Sequence, residues 1–218
     1  LPAETVPIGD AVGRWLAQDL IALRDQPWAD LSAMDGYAVR AAEHPGPWRV
    51  TGESTAGGAT PAPISAGAAL RIFTGAPVPP GADAILIQEN ATRDGDLLMA
   101  SADPLPVGRH IRARASDFAR ETLLLDSGAR LGAAQVALAV LGGHGRVAVH
   151  RRPRVALLST GNELVPPGAD TPPGMLPSSN APMLAALLAD LPCDVMDLGI
   201  VSDDLDAMTA AFVRATQA

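Results

Sequence analysis

The chain contains no lysine; all 16 of its basic residues are arginine. Schiff-base chemistry and a lysine clamp on phosphate are therefore excluded from this segment. Positive charge is also outweighed, with 24 acidic residues and a formal net charge of −8, and the arginines gather only at 109–120 and 151–154. Duplex nucleic acid demands a sustained basic face, so no nucleic-acid partner is expected. A single cysteine, Cys193, rules out an intrachain disulfide and a thiolate zinc cluster. It reads as a buried apolar thiol in a reducing compartment, and the cytoplasm is the expected location. No apolar run approaches the ~20 residues of a spanning helix, and Leu1–Asp10 shows no basic-then-apolar leader, so no membrane partner is expected. The glycine pattern of a dinucleotide fold is missing, as is a phosphate-cradling loop with its lysine. The histidines at 44, 110, 144 and 150 lack ligand spacing and read as surface residues.

What remains is 218 residues, 48% of them apolar, enough to bury real cores. At ~100–150 residues per domain, about two domains are suggested. From Ile8 to Leu20 the apolar Ala11, Val12, Trp15, Leu16 and Leu20 recur at helical spacing, with Asp10 in the first turn, and predict a short amphipathic helix. Between Asp25 and Phe118 the grammar changes to short β-rich runs, Trp48–Thr51, Leu70–Thr74, Ala84–Gln88 and Leu97–Ala100, separated by Gly, Pro and Asp clusters. Helical periodicity returns at Gly132–Leu141, closed by Gly142-Gly143, and Arg146–His150 reads as a strand. The β module thus reads as an insertion between helix-bearing flanks.

Beyond Arg154 the pattern is β-α-β-α: an apolar strand Val155–Ser159, a helix Pro182–Asp190, a strand Asp194–Val201 and a helix Asp204–Thr216. Such alternation predicts a parallel sheet. Two strands would leave an open edge that a third should cover, so this last domain is expected to be truncated.

Three segments could carry chemistry. In Ser32-Ala33-Met34-Asp35-Gly36-Tyr37-Ala38 a carboxylate precedes a glycine, although Asp-Gly alone reads first as a hairpin turn. Arg71-Ile72-Phe73-Thr74-Gly75 ends a strand in a hydroxyl and bare backbone amides that can face an anion, again with a plain turn as the simpler reading. Ser159-Thr160-Gly161-Asn162-Glu163 lies at the carboxyl end of an apolar strand, where open α/β sheets bind ligands. Ser159, Thr160 and the Gly161 amide could hold a phosphate, and Glu163 offers a hard oxygen for Mg²⁺. Asn180 is expected to cap the next helix, beside Ser179, and Ser202 or Asp203 the last one. Glu163 and Asp203 should share one rim of the sheet, a credible divalent-metal pair.

In this order, PIGDAVGRWLAQD (7–19), SAMDGYAVR (32–40), RIFTGAPVPPGADA (71–84), Gln88-Glu89, RARASDF (112–118), RPRVALLSTGNEL (152–164), Ser179-Asn180 and the stretch 198–204 resemble the molybdopterin molybdenumtransferase family, which includes bacterial MoeA and the E domain of gephyrin. The resemblance implies a multi-domain homodimer of mixed α/β and β class. Residues 1–25 with 120–150 would form an elongated linker and dimerisation domain, 26–119 an inserted β-rich domain, and 151–218 the first part of an α/β molybdopterin-binding domain. It implies insertion of molybdate into adenylylated molybdopterin, with Mg²⁺-assisted release of AMP, in a cleft between the β module of one subunit and the α/β domain of the other. Asp35, Thr74 and Asp117 would line that cleft from the β module. Glu163 and Asp203 would serve catalysis and metal binding, while Ser159, Thr160, Gly161, Ser179 and Asn180 would bind the pterin's phosphate. The molybdopterin adenylyltransferase is an implied partner.

The chain departs from the family pattern at Ala115-Ser116, where Gly-Glu is usual, at Leu31, where Asn is usual, and at Ser178, where Asp is frequent. The family's Gly-Gly-rich segment, its lysines and its C-terminal domain are not in this sequence, so the chain alone is expected not to turn over. A non-catalytic scaffold would have no need of the acidic rim, and a generic phosphate-binding α/β enzyme leaves SAMDGYA and RIFTGAP unexplained.

Overall fold

The computed structural model describes residues 1–101 and 103–217; Ala102, within the expected 26–119 module, and Ala218, at the end of the expected 151–218 domain, lie outside them. The architecture is mixed α/β with strands dominant. The chain divides into two compact units, one of Leu1–Leu20, Leu125–Leu138 and Gly145–Ala218, the other of Ile21–Leu124 and Ala139–His144. No helix among the described residues is long and apolar enough to cross a membrane.

In the first unit, strand Ala3–Pro7 pairs antiparallel with Arg146–His150. Arg14, 5% exposed, ion-pairs with Glu4 and donates to the His150 carbonyl at 2.7 Å, tying both strands to the segment that follows the first of them. That segment is not the helix its periodicity predicts. Only a single 3-10 turn forms, Ile8–Ala11. Gly13 then turns the chain with φ +79°, and Leu16 bridges Val149 in extended form. The apolar spacing served another purpose: Ala11 and Leu16 are fully buried while Val12 and Trp15 stay outside, which an extended chain after a tight turn achieves as well as a helix.

The β-α-β-α pattern is present in the same unit. Strand Arg154–Thr160 runs parallel to Asp194–Val201, with helices Asn180–Leu188 and Leu205–Gln217. The register shifts after Leu157, so that Leu157 faces Asp197 but Ser159 faces Ile200. Gly199, at φ +78°, absorbs the extra residue, and its amide bonds Asp197 Oδ1 at 2.8 Å. The bulge delivers Ser159 and Thr160 beside the end of the second strand. Both helix caps sit one position from where the sequence suggested. Asn180 is the first helical residue, with Ser179 at the cap position making no side-chain bond. At the last helix, Asp204 rather than Ser202 or Asp203 takes the cap, its Oδ1 accepting from Ala207 N at 2.9 Å. Cys193 is half-buried, its thiol directed at the Leu188 carbonyl.

The second unit is built on a six-stranded sheet in the order Ala84–Ile87, Gly36–Val39, Ala68–Ile72, Trp48–Ser54, Leu97–Ala100, Ala91–Asp94. Only Trp48–Ser54 and Ala68–Ile72 run parallel. One face packs Ala38, Leu70, Ile72 and Ile85, the other Tyr37, Val39, Trp48 and Leu98. Gly36–Val39 is buried at every position, so Asp35-Gly36 opens a central strand instead of turning a hairpin. Helix Ala133–Leu141 ends as its Gly-Gly pair suggested: Gly143 adopts φ +99°, and His144 N and Gly143 N bond the carbonyls of Ala139 and Val140 at 2.9 and 3.0 Å.

Asp25 links two separate loops of this unit. Its Oδ1 accepts from Arg120 N at 2.7 Å, and its Oδ2 from Arg114 Nε at 2.6 Å. The Arg120 amide first, then the Arg114 guanidinium, hold its carboxyl below the ordinary 3.8. Because the folded form favours the ion, this stabilisation is complete above the ordinary value and is lost as pH falls through the depressed one. Asp25→Asn should therefore lower the urea midpoint at neutral pH, with the deficit shrinking towards about pH 2. An equal deficit at both pH values would show that charge is not the cause.

Candidate functional site

In the second unit, two of the sequence's candidates meet. Leu31–Ser32 pairs with Ile111–Arg112, and Ser32 is stitched to the turn after Ile72 by two backbone bonds, Ser32 N to Ala76 O (2.9 Å) and Gly75 N to Ser32 O (2.8 Å). The buried Ser32 hydroxyl donates to Met34 O at 2.6 Å and shapes the bend that presents Asp35. Gly75, at φ +81°, turns the chain so that Thr74 faces that bend. Thr74 N and Thr74 Oγ1 both donate to Asp35 Oδ1, each at 2.8 Å.

These two bonds, the backbone one first, lower the Asp35 carboxyl below its ordinary 3.8; partial burial opposes them and the Arg71 cation assists. The result is an ionised carboxylate on an accessible surface, with one oxygen saturated and Oδ2 carrying no protein bond among the described residues. Such a group can accept a proton, orient a donor or take part in binding a cation. Asp117 is placed differently. It pairs with Arg112, and no bond among the described residues joins it to Asp35 or Thr74.

The first unit holds the other candidates. A cavity of about 490 Å³ is lined by Ser159, Thr160, Glu163, Ser178, Ser179 and Asn180. Gly161 has φ +148°, and a Cβ there would lie 2.6 Å from Glu163 Oε2, so the Glu163 carboxylate folds back over bare backbone. Asp203 does not line the cavity; its amide is held by Asn162 Oδ1 at 3.2 Å. The buried Ser178 hydroxyl donates to Ser159 Oγ at 3.0 Å, leaving a neutral wall where a carboxylate would have repelled an anion. Hydroxyls and the amides at the start of Asn180–Leu188 are a donor set suited to a phosphate, and the Glu163 carboxylate at its edge suits a cation rather than the anion. No group of three or more His, Cys, Asp or Glu side chains converges among the described residues. Glu163 alone supplies a carboxylate to the cavity, a hard oxygen of the kind Mg²⁺ takes one or two of while completing its shell from phosphate and water, and Asp203 follows the neighbouring strand outside that lining.

Residues that the sequence left unassigned also contribute. Ser178 bonds Ser159 and Asn162 holds the Asp203 amide, so each positions a candidate without a sequence pattern that marks it. Arg71 and Gln88, inside quoted motifs, surround Asp35 through bonds that depend on strand register and leave no local signature.

A profile described as "MoeA N-terminal region (domain I and II)" matches residues 1–143, and one described as "Probable molybdopterin binding domain" matches residues 156–218. The molybdopterin molybdenumtransferase of a Nostoc species is 36% identical over 219 residues, covering 97% of this chain and 50% of that protein. Molybdopterin molybdenumtransferase 2 of Mycobacterium tuberculosis is 38% identical over 217 residues, covering 96% and 53%. The crystal structure of a molybdopterin biosynthesis MoeA protein from Pyrococcus horikoshii superposes with a TM-score of 0.87 at 33% identity, over 99% of this chain and 57% of that one. The chain spans about half the length of the curated relatives it matches.

Proposed function

The chain belongs to the MoeA family, and from that premise we propose that it supplies part of the machinery inserting molybdate into adenylylated molybdopterin, with release of AMP. The observation that supports this most is the Asp35–Thr74 pair, in which two quoted motifs converge on one surface carboxylate held in its ionised form. Asp35 Oδ1 is spent on Thr74, so Oδ2 is the atom that orients substrate. Ser159, Thr160 and the amides around Gly161, Ser179 and Asn180 bind the phosphate of the pterin. Glu163 and Asp203 hold Mg²⁺, which when bound neutralises the phosphate charge that AMP release creates. Asp117, paired with Arg112, borders the Asp35 side of the cleft.

In this reading residues 1–25 with 120–150 form the dimerisation domain, 26–119 the inserted β domain and 151–218 the molybdopterin-binding domain. The working site closes between subunits of a cytoplasmic homodimer that takes its substrate from the molybdopterin adenylyltransferase. The small flanking domain, whose own core rests on a few residues such as Ala11, Leu16 and Val149, gains further burial by pairing. The complete protein, given adenylylated molybdopterin, molybdate and Mg²⁺, should release AMP in step with formation of a cofactor that activates an apo-molybdoenzyme. Inert but folded protein would end the proposal. Light scattering on the present chain at tens of micromolar should give a dimer mass, and a monomer would remove the intersubunit cleft.

A further inference from the structure

Arg71 occupies a position that simple strand pairing does not explain. It stands opposite Tyr37 in the antiparallel register, with Phe73 two residues further along the same face. Its guanidinium carbon lies 5.1 Å from the Tyr37 ring centroid and 4.9 Å from that of Phe73, a cation held between two aromatic faces. From there it donates to Gly36 O at 3.1 Å and to Gln88 Oε1 at 2.8 Å. Gln88 N in turn donates to Asp35 O at 3.1 Å. The carbonyls of two successive peptides, Asp35 O and Gly36 O, are thus held by Gln88 N and by Arg71, while Phe73 adjoins Thr74, the residue that bonds the Asp35 carboxylate. Glu53, its register neighbour on the other strand, forms no ion pair with Arg71 among the described residues, and the Arg71 cation adds a small lowering influence on the Asp35 carboxyl beside the two Thr74 bonds.

We infer that Arg71 is the positioning residue of the Asp35–Thr74 pair, a planar fork that holds the Gly36 carbonyl and Gln88, the residues flanking Asp35 in the sheet, and so aligns the Asp35 carboxylate with the Thr74 donors. The inference rests on reading Asp35 and Thr74 as working groups, but it concerns their geometry and can be tested without turnover. Arginine suits the task because its rigid fork bonds two acceptors while stacking on rings, which a lysine ammonium cannot reproduce.

NMR on the chain separates the two contributions. In Arg71→Met, the Asp35 carboxyl should titrate at higher pH than in the parent, and exchange of the Thr74 amide should quicken on the order of tenfold, the scale of losing a hydrogen bond to a charged acceptor. In Arg71→Lys, the titration should stay near the parent's because the charge is kept, whereas Thr74 exchange should quicken as in Arg71→Met because the fork is lost. A residue that merely pins strands would lower the melting temperature and leave both readouts at Thr74 and Asp35 unchanged. Parent-like titration and exchange in folded Arg71→Met would overturn the inference. Should that variant fail to fold, parent-like Thr74 exchange in Arg71→Lys would overturn it equally. Loss of these signatures says nothing about molybdenum insertion, so failure here and failure of the proposed function remain distinguishable.

Discussion

Asp35→Asn in the complete protein should cut molybdenum insertion by at least about 100-fold while leaving the fold intact, the usual scale for removing a positioned acid–base or electrostatic group. The amide is the informative replacement. Its carbonyl oxygen can still accept both Thr74 bonds, so the bend of 33–35 and the strand after it keep their restraints. Only the negative charge disappears, together with the capacity of Oδ2 to accept a proton or share a cation. Asp35→Ala removes the Thr74 bonds as well, yet Thr74 is exposed and water can satisfy its donors, so the alanine variant should fold and be no less impaired. Thr74→Val adds a graded case: the backbone bond survives, the hydroxyl bond does not, and the Asp35 carboxyl should rise part of the way towards its ordinary range. AMP release and cofactor yield, measured at saturating substrate, are the readouts. Activity of Asp35→Asn within about twofold of the parent would show that the carboxylate does not act in the reaction.

How far such a site can be read from sequence depends on whether each part is local. STGNEL announced itself because a continuous apolar strand ending in hydroxyl, glycine and acid is a local pattern, and the structure places Ser159, Thr160 and Glu163 around one cavity with Ser179 and Asn180. The strands Arg146–His150, Leu97–Ala100 and Asp194–Val201 and the Gly-Gly end of Ala133–Leu141 were legible for the same reason. Gly36–Val39 was not, because a four-residue strand buried on both faces shows neither alternation nor a long apolar run. Its neighbours in the sheet, Ala68–Ile72 and Ala84–Ile87, lie far along the chain, and only they make it a strand. The helix expected over Ile8–Leu20 failed through the opposite error: five apolar residues matched a 3.6 period, but Gly13 in the left-handed region and a bridge partner at Val149 decided the outcome. Arg71 illustrates a third limit. It lies within RIFTGAP, but its grip on Gly36 and Gln88 exists only once three strands are in register.

Gly36→Ala should be the most destabilising single-methyl change in the second unit, on the order of 3–5 kcal/mol, and should abolish activity through loss of structure. A Cβ built on Gly36 would lie 2.1 Å from the Leu86 carbonyl oxygen and 2.9 Å from both Leu86 C and Ile87 Cα. All three are backbone atoms of the neighbouring strand, so no rotamer change can make room. Overpacking a core side chain costs about 1–3 kcal/mol because neighbours can shift. Here the alternative is to part the strands, which breaks the Gly36↔Ile87 and Tyr37↔Leu86 pairing and with it the Gln88–Asp35 bond that follows. Gly9→Ala is the matched control, since its Cβ would meet nothing within 4 Å. Urea unfolding followed by circular dichroism, which reports on both units, should show a large fall in midpoint for Gly36→Ala and almost none for Gly9→Ala. Equal midpoints would mean that the two strands approach less closely than the Gly36–Leu86 contact requires. The requirement at 36 explains the residue order of the motif: the carboxylate must stand where the chain enters the sheet, and the position after it has no space for a side chain.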